Sequence, residues 1–473
     1  MPNKILKNTL WLSGGEIIGR LLRAVVVIYA ARVLGAATWG TLSYVLSLAG
    51  LFIIATDIGI GAVLTRELVK QPQQQYRYVS TSFYIKIILI ATSAIVMILL
   101  TPHLANIEVS PAIIWLITIM MALNSLELLA IAIARAQEKM HLEALAKMVS
   151  QITIVTLGIW ALIKYQTAES LAAVYAIGAA ASLIFIIWAL RQWLKRIFTY
   201  FDCQLVKKIL SASWPFAIAG LLGGTMLNID VVMLGWFRDA TQIGYYAAAQ
   251  KLIFVLYVIP TLVAIPVFPS LARLANKDQT EFTRLLVRSL KIVLIAAIPI
   301  AIGGIITGSE VVRLTFGAEY IATATTFKIL LLTLLVNYPV IIVSNALFAY
   351  RKHNEFVKYS ILGVSSNIIL NLVFIPYWGI EGAAISTVIT QLASSAFIWK
   401  KLKQTNHFSL HHQLNKVIVT NLIVGAFVWL LHYYQVNFFA ILAAAIISYP
   451  VLLYLLKEEL IYESRYLRRW LNS

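Results

Sequence analysis

Residues 111–140 read PAIIWLITIMMALNSLELLAIAIARAQEKM. The apolar run inside this stretch, 112–134, is long enough to cross a bilayer, which takes about 20 residues of helix. It closes on Arg135, with Lys139 four residues later. Asn124 and Glu127 interrupt it three residues apart and so share one helix face. The same unit, an apolar run closed by a polar gap, recurs along the whole chain. Clear runs lie near 9–34, 41–64, 83–102, 112–134, 146–163, 170–190, 212–236 and 244–269. More follow near 287–307, 322–349, 357–376, 381–399, 415–434 and 437–456. Together they leave no stretch for a separate soluble domain.

Lys and Arg fall into every second gap. One set of gaps holds Lys4 and Lys7, then Arg66, Lys70 and Arg77, then Arg135, Lys139 and Lys147. It continues through Arg191–Lys208, Arg273–Lys291, Arg351–Lys358 and Lys400–Lys416 to Lys457, Arg465, Arg468 and Arg469. The alternate gaps hold little beyond Lys164, Arg238 and Arg313. Positive charge is retained on the cytoplasmic side of a membrane. The alternation therefore predicts an all-α polytopic membrane protein of about fourteen spans with both termini cytoplasmic.

Composition agrees: 60% of residues are hydrophobic, 12% are charged and the mean hydropathy is +0.84. The net charge of +18 is spread over short loops rather than gathered on one face. That argues against nucleic acid as a partner and for an anionic inner leaflet. The single cysteine, Cys203, allows no internal disulfide. There is no P-loop, HExxH or Cys/His cluster, and His411 and His412 stand in a loop without obvious partners. No cofactor and no metal are expected, and the chain reads as a transporter rather than an enzyme.

A faint duplication runs beneath the hydropathy. Arg32-Val33-Leu34-Gly35, followed by Gly40 and Tyr44, matches Val232-Met233-Leu234-Gly235, followed by Gly244-Tyr245-Tyr246. Ala134-Arg135-Ala136-Gln137-Glu138-Lys139 matches Phe348-Ala349-Tyr350-Arg351-Lys352-His353. The expected organisation is a six-helix bundle over 1–200, a second over 201–405, and two further helices with a cytoplasmic tail over 406–473. Parallel repeats of this sort place a pathway at their interface near the bilayer midplane.

Ionisable groups inside the runs mark function, because each costs roughly 2.5–3.5 kcal/mol at mid-helix on insertion scales. Glu16, Arg20 and Arg23 share a face of the first helix. Asp57 lies in the second run, just before Gly59 and Gly61, where another backbone can approach closely. Asp230 is its acidic counterpart in the second half. Lys86, Lys251 and Lys328 each stand inside an apolar run, and Asn367 and Asn371 share a face. The alternative for Asp57 and Asp230 is a structural ion pair with a basic residue of a neighbouring helix. Arg20, Arg23, Lys251, Lys86 and Lys328 are thus the candidate substrate-binding residues, and Glu16, Asp57, Glu127 and Asp230 the coupling or structural charges. Their balance is basic, which suits an anionic substrate; arginine's planar fork matches phosphate oxygens. Pro260, Pro266, Pro269, Pro299 and Pro339 bend their helices. Trp11, Trp39, Trp115, Trp188, Trp193, Trp236 and Trp429 are expected at the membrane interfaces.

Several of these segments resemble the polysaccharide transporter family, the lipid-linked oligosaccharide (O-antigen) flippase branch of the multidrug/oligosaccharidyl-lipid/polysaccharide superfamily. They are Leu12-Ser13-Gly14-Gly15 through Arg20, the Arg32–Gly40 turn, and Asp57-Ile58-Gly59 with Arg66-Glu67. In the second half they are Asp230–Gly235, Gly244–Leu252 and Pro266-Val267-Phe268-Pro269-Ser270-Leu271. The resemblance implies two six-helix bundles around a cavity that opens alternately to each side. It implies a bacterial or archaeal cytoplasmic membrane, a polyprenyl-diphosphate-linked oligosaccharide as substrate, and polysaccharide polymerase or export proteins as partners. It carries Arg20, Asp57, Asp230 and Lys251 over as functional positions, whereas Glu16 has no place in its pattern. The diphosphate is expected against Arg20, Arg23 and Lys251, between the two halves. Rival readings are a peptidoglycan-precursor (lipid II) flippase and a multidrug/cation antiporter, which would want an acidic cavity. A membrane-embedded glycosyltransferase or polymerase would need larger outer loops than these.

Overall fold

The structure is a computed structural model and describes residues 2–194 and 197–456, without the side chains of 2–18, 20, 21 and 411–413. Glu16, Arg20 and Trp11, and the basic residues Lys457, Arg465, Arg468 and Arg469 of the tail, therefore lie outside the described side chains. Among the described residues there are helices and no strands. That outcome follows from the solvent: in hydrocarbon, backbone groups have no water to bond, and a helix satisfies them within itself.

In chain order the helices are α1 (Pro2–Asp57), α2 (Ile60–Lys70), α3 (Gln75–Leu104), α4 (Pro111–Ala136), α5 (Met140–Lys164) and α6 (Ala168–Ala189). Next come a single turn, α7 (Arg191–Leu194), then α8 (Cys203–Phe237), α9 (Ala240–Leu256) and α10 (Val258–Leu274). The rest are α11 (Gln279–Ile306), α12 (Gly308–Phe316), α13 (Thr323–Ala349), α14 (His353–Lys403), α15 (His411–Tyr433) and α16 (Phe438–Leu455). Among the described residues, twelve stretches are long and apolar enough to cross a membrane. Two of them break at a glycine, at Gly35 (φ 76°) and at Gly379 (φ 56°). Counting each side of those breaks separately gives the fourteen spans expected from the sequence.

Many large apolar side chains point outward, among them Ile88, Ile184, Leu422 and Ile447. A soluble protein would bury them; a bilayer takes them at no cost. Trp115, Trp188 and Trp429 are exposed, whereas Trp39 is wholly buried against neighbouring helices.

The chain forms two compact units. Unit one comprises Met1–Lys251 together with Ile368–Ala383, the middle of α14. Its core gathers Ile60, Leu64, Tyr78, Ile133, Ile186 and Ile209 from α2, α3, α4, α6 and α8. Unit two comprises Leu252–Asn367 and Ala384–Ser473. Here Gly304 of α11 lets Leu331 of α13 lie close, and Val424, Val428 and Ile441 join α15 to α16.

Two features of unit one bear on the sequence reading. The turn segments matched as repeats cross each other: a Cβ added at Gly40 would meet the Ala240 carbonyl oxygen at 1.8 Å, and one at Gly244 would meet that of Ala36 at 2.0 Å. Ala36/Gly40 and Ala240/Gly244 are both small-xxx-small pairs, which let helix backbones touch. The second feature is the break in α14. Arg238 donates to the carbonyl of Ile375 (2.8 Å from Nη2, 3.3 Å from Nε) and to that of Pro376 (2.9 Å). Those carbonyls lose helical partners where the chain turns at Gly379.

Candidate functional site

A cavity of about 380 Å³ lies in unit one, between α1, α4, α5, α6 and α9. α1 supplies Arg23, Val27 and Trp39; α4 supplies Met120, Asn124 and Glu127; α5 supplies Lys147, Ser150 and Gln151; α6 supplies Tyr175; and Lys251 comes from α9. Each helix presents its polar residues at helical spacing: Asn124 and Glu127 on α4, Lys147 and Gln151 on α5. Among the described side chains, three basic ones, Arg23, Lys147 and Lys251, face one acid, Glu127. The chamber is therefore net basic even though its walls are largely apolar.

The polar groups are tied to their helices. Arg23 Nε donates to Gln151 Oε1 at 3.4 Å, and its side chain remains open to the cavity. Glu127, 9% exposed, has its Oε1 2.6 Å from Ser182 Oγ of α6. Lys147 donates to Glu143 at 3.0 Å, and Glu143 also accepts two bonds of 2.7 Å from Arg135. Glu143 thereby holds Lys147 at the rim without neutralising it, since its own charge is shared between two cations. In a low-dielectric chamber such fixed charges act strongly on an anion.

The remaining expected residues whose side chains are described go elsewhere. Asp57 is not deep in a continuous helix: α1 ends on it, Ile58 and Gly59 have positive φ (37° and 79°), and α2 restarts at Ile60. The physical reason is Gly59, whose missing Cβ makes room for Ser213 and Phe216 of α8. Gly61 has ordinary spacing, so only the first glycine serves close approach. Lys86, fully buried on α3, forms an ion pair with Asp57. Asp230 accepts from Tyr246 Oη and from Asn371 Nδ2, each at 2.7 Å, in a buried cluster joining α8, α9 and α14. Lys328 lies over Gly308 in unit two. Arg23, Lys251 and Glu127 are thus brought together, whereas Lys86, Lys328, Asp57 and Asp230 do not line that cavity.

Sequence reasoning missed Lys147 by assigning it to a basic loop. The helix starts earlier, at Met140, and carries Lys147 into the span. Spacing of four from both Glu143 and Gln151 was the available signal. Two cavities in unit two contrast with this one. Among the described residues, the first, about 460 Å³ between α11, α15 and α16, has no charged lining residue, and the second, about 500 Å³, has Lys403 alone.

The family described as polysaccharide biosynthesis protein matches residues 5–275. A Haloferax volcanii protein named as a low-salt glycan biosynthesis flippase is 21% identical over 389 residues, 82% of this chain and 81% of that one. A Shigella flexneri protein named as an O-antigen transporter is 23% identical over 399 residues, 81% of this chain and 94% of that one. Among solved structures, a lipid II flippase (MurJ) in an inward closed conformation superposes with a TM-score of 0.79 at 18% identity. It covers 95% of this chain and 99% of its own. At that identity the likeness speaks for the fold.

Proposed function

The chain belongs to the polysaccharide biosynthesis protein family, within the multidrug/oligosaccharidyl-lipid/polysaccharide superfamily, and from that premise we propose that it is a lipid-linked oligosaccharide flippase. Its substrate is a polyprenyl-diphosphate-linked oligosaccharide, moved by alternating access from the inner to the outer leaflet of the cytoplasmic membrane. The observation that carries this reading is the basic chamber, in which the described side chains of Arg23, Lys147 and Lys251 stand against Glu127. The diphosphate is the one part of such a substrate that always carries charge, and fixed cations in a partly dry site favour it over a neutral glycolipid. Arg20, on the same helix face as Arg23, belongs to the same proposed site. The glycan occupies hydrated space and the polyprenyl chain stays among lipid. A cation exporter would require the opposite charge balance.

Transport needs no chemical step, so the proposal is of a transporter rather than an enzyme. Moving about two negative charges outward across an inside-negative membrane is favoured by about 2.3 kcal/mol per charge per 100 mV. The potential alone then biases transport; antiport of a proton or sodium ion through Asp57 or Asp230 is the alternative. The structure leaves both acids with partners, Lys86 for one and Tyr246 with Asn371 for the other, which favours the potential.

The test is proteoliposomes under a clamped potential without an ion gradient, with leaflet access read by a membrane-impermeant quencher. The diphosphate-linked oligosaccharide should cross, a neutral glycolipid should not, and Arg23→Ala with Lys251→Ala should stop transport without loss of insertion. Equal rates for the charged and neutral lipids would overturn the proposal. A lipid II arm in the same assay distinguishes the peptidoglycan-precursor reading, because the two substrates share the diphosphate and differ in the sugar.

A further inference from the structure

Glu127 is bound in a way that counts protons. Ser182 Oγ lies 2.6 Å from Glu127 Oε1 and 2.9 Å from the main-chain oxygen of Ala146 on α5. A hydroxyl owns one proton. If Glu127 is ionised, both neighbours are acceptors and Ser182 satisfies only one of them. If Glu127 is protonated, it donates to Ser182 Oγ and Ser182 donates to Ala146, so each contact has its own proton. The 2.6 Å distance suits a bond to the acid or to the carboxylate alike. The count of protons, not the distance, fits the neutral acid.

The groups around Glu127 give that proton a consequence. From α1 it faces Arg23; from α5, Lys147, and behind it Glu143, which is committed to Arg135 and Lys147; from α6, Tyr175; and from α9, Lys251. On α2 and α3 the nearest charges are engaged with one another, Arg66 with Glu67 and Lys86 with Asp57. An ionised Glu127 competes with any anion for Arg23, Lys147 and Lys251. A neutral Glu127 removes that competition.

We infer that Glu127 is the proton-binding residue of the chamber and that its protonation is linked to capture of an anionic headgroup. This rests on the flippase reading and deepens it by naming how occupancy is regulated. Linkage is reciprocal: the proton tightens headgroup binding, and the headgroup tightens proton binding by the same factor. A substrate that takes up a proton on entry crosses with one negative charge fewer, and the membrane potential acts on the remainder.

Three measurements on the full chain in nanodiscs test this. Infrared difference spectra without ligand should show a protonated-carboxyl stretch that titrates with pH in the wild type and is missing in Glu127→Gln. Farnesyl-diphosphate-linked N-acetylglucosamine should bind wild type about tenfold more weakly per pH unit above the titration midpoint. In E127Q that slope should vanish across the wild-type midpoint, and the affinity there should match the low-pH limit of the wild type. The third needs no variant: adding the probe to wild type in weak buffer should take up about one proton per molecule bound just above the midpoint. Binding with the same pH slope in both proteins, or without proton uptake, would overturn the linkage and leave the flippase reading intact. Failure of both proteins to bind the probe at any pH would remove the headgroup reading, and the linkage with it.

Discussion

The crossing of Ala36/Gly40 with Ala240/Gly244 permits a sharp test. Replacing Gly40 by Ala places a Cβ 1.8 Å from the Ala240 carbonyl oxygen and 2.7 Å from the Gly244 nitrogen. Ordinary contact begins at 3.4 Å, so the helices must part by roughly 1.6 Å or the backbone must distort. Neither neighbour is the free end of a side chain; both are main chain inside helices. Overpacking of a tight interface costs about 1–3 kcal/mol, and a clash with backbone belongs at or above the top of that range. The control is Gly223→Ala on α8, where nothing lies within 4 Å of the added atom. There the gain in helix propensity, up to about 1 kcal/mol, is unopposed. Thermal unfolding in detergent, followed by fluorescence, should show Gly40→Ala strongly destabilised and Gly223→Ala equal to wild type or better. Adding Gly244→Ala to Gly40→Ala should cost less than its single effect, because the first substitution has already separated the helices. Equal stability of Gly40→Ala and Gly223→Ala would refute the close crossing.

Three further outcomes follow from the same geometry. Lys147→Ala should weaken binding of the diphosphate probe by about 10–100-fold, the worth of one charge-assisted contact of roughly 1.5–3 kcal/mol, as read by titration in nanodiscs. Asp57→Asn leaves the wholly buried Lys86 ammonium without its carboxylate; a loss of about 3–5 kcal/mol is expected, much of it regained when Lys86→Met is added, as measured by detergent unfolding of the four proteins of the cycle. Tyr246→Phe removes a donor from the buried Asp230 carboxylate and should cost about 1.5–3 kcal/mol in the same assay, with headgroup affinity retained.

The helices were legible because a membrane span must satisfy its own backbone and carry few charges, and both demands are written in composition. The breaks at Gly35 and Gly379 fell within the gaps between apolar runs for the same reason. The break after Asp57 was not legible: it arises where Gly59 meets α8, a contact some 150 residues away in sequence. Within the site, Arg23, Glu127 and Lys251 stood out as charges in apolar runs, and the cavity gathers all three. Lys86 and Asp57 stood out equally, yet they face each other instead. Nothing in one sequence says which intramembrane charges meet a partner and which meet water. Trp39 shows the same limit for aromatics, since span-end position and burial are independent when neighbouring helices are close.

Charge-based orientation rules count cations as though each were free to choose a side of the bilayer. Two of the three basic residues on the sparsely charged side are not free in that sense. Arg238 is consumed in bridging the main-chain oxygens of Ile375 and Pro376, and Lys164 sits 5.2 Å and 5.1 Å from the ring centres of Trp160 and Tyr165. Captive cations of this kind report local architecture rather than insertion direction. Discounting them makes the asymmetry between the two faces of this chain steeper than a bare tally of Lys and Arg suggests.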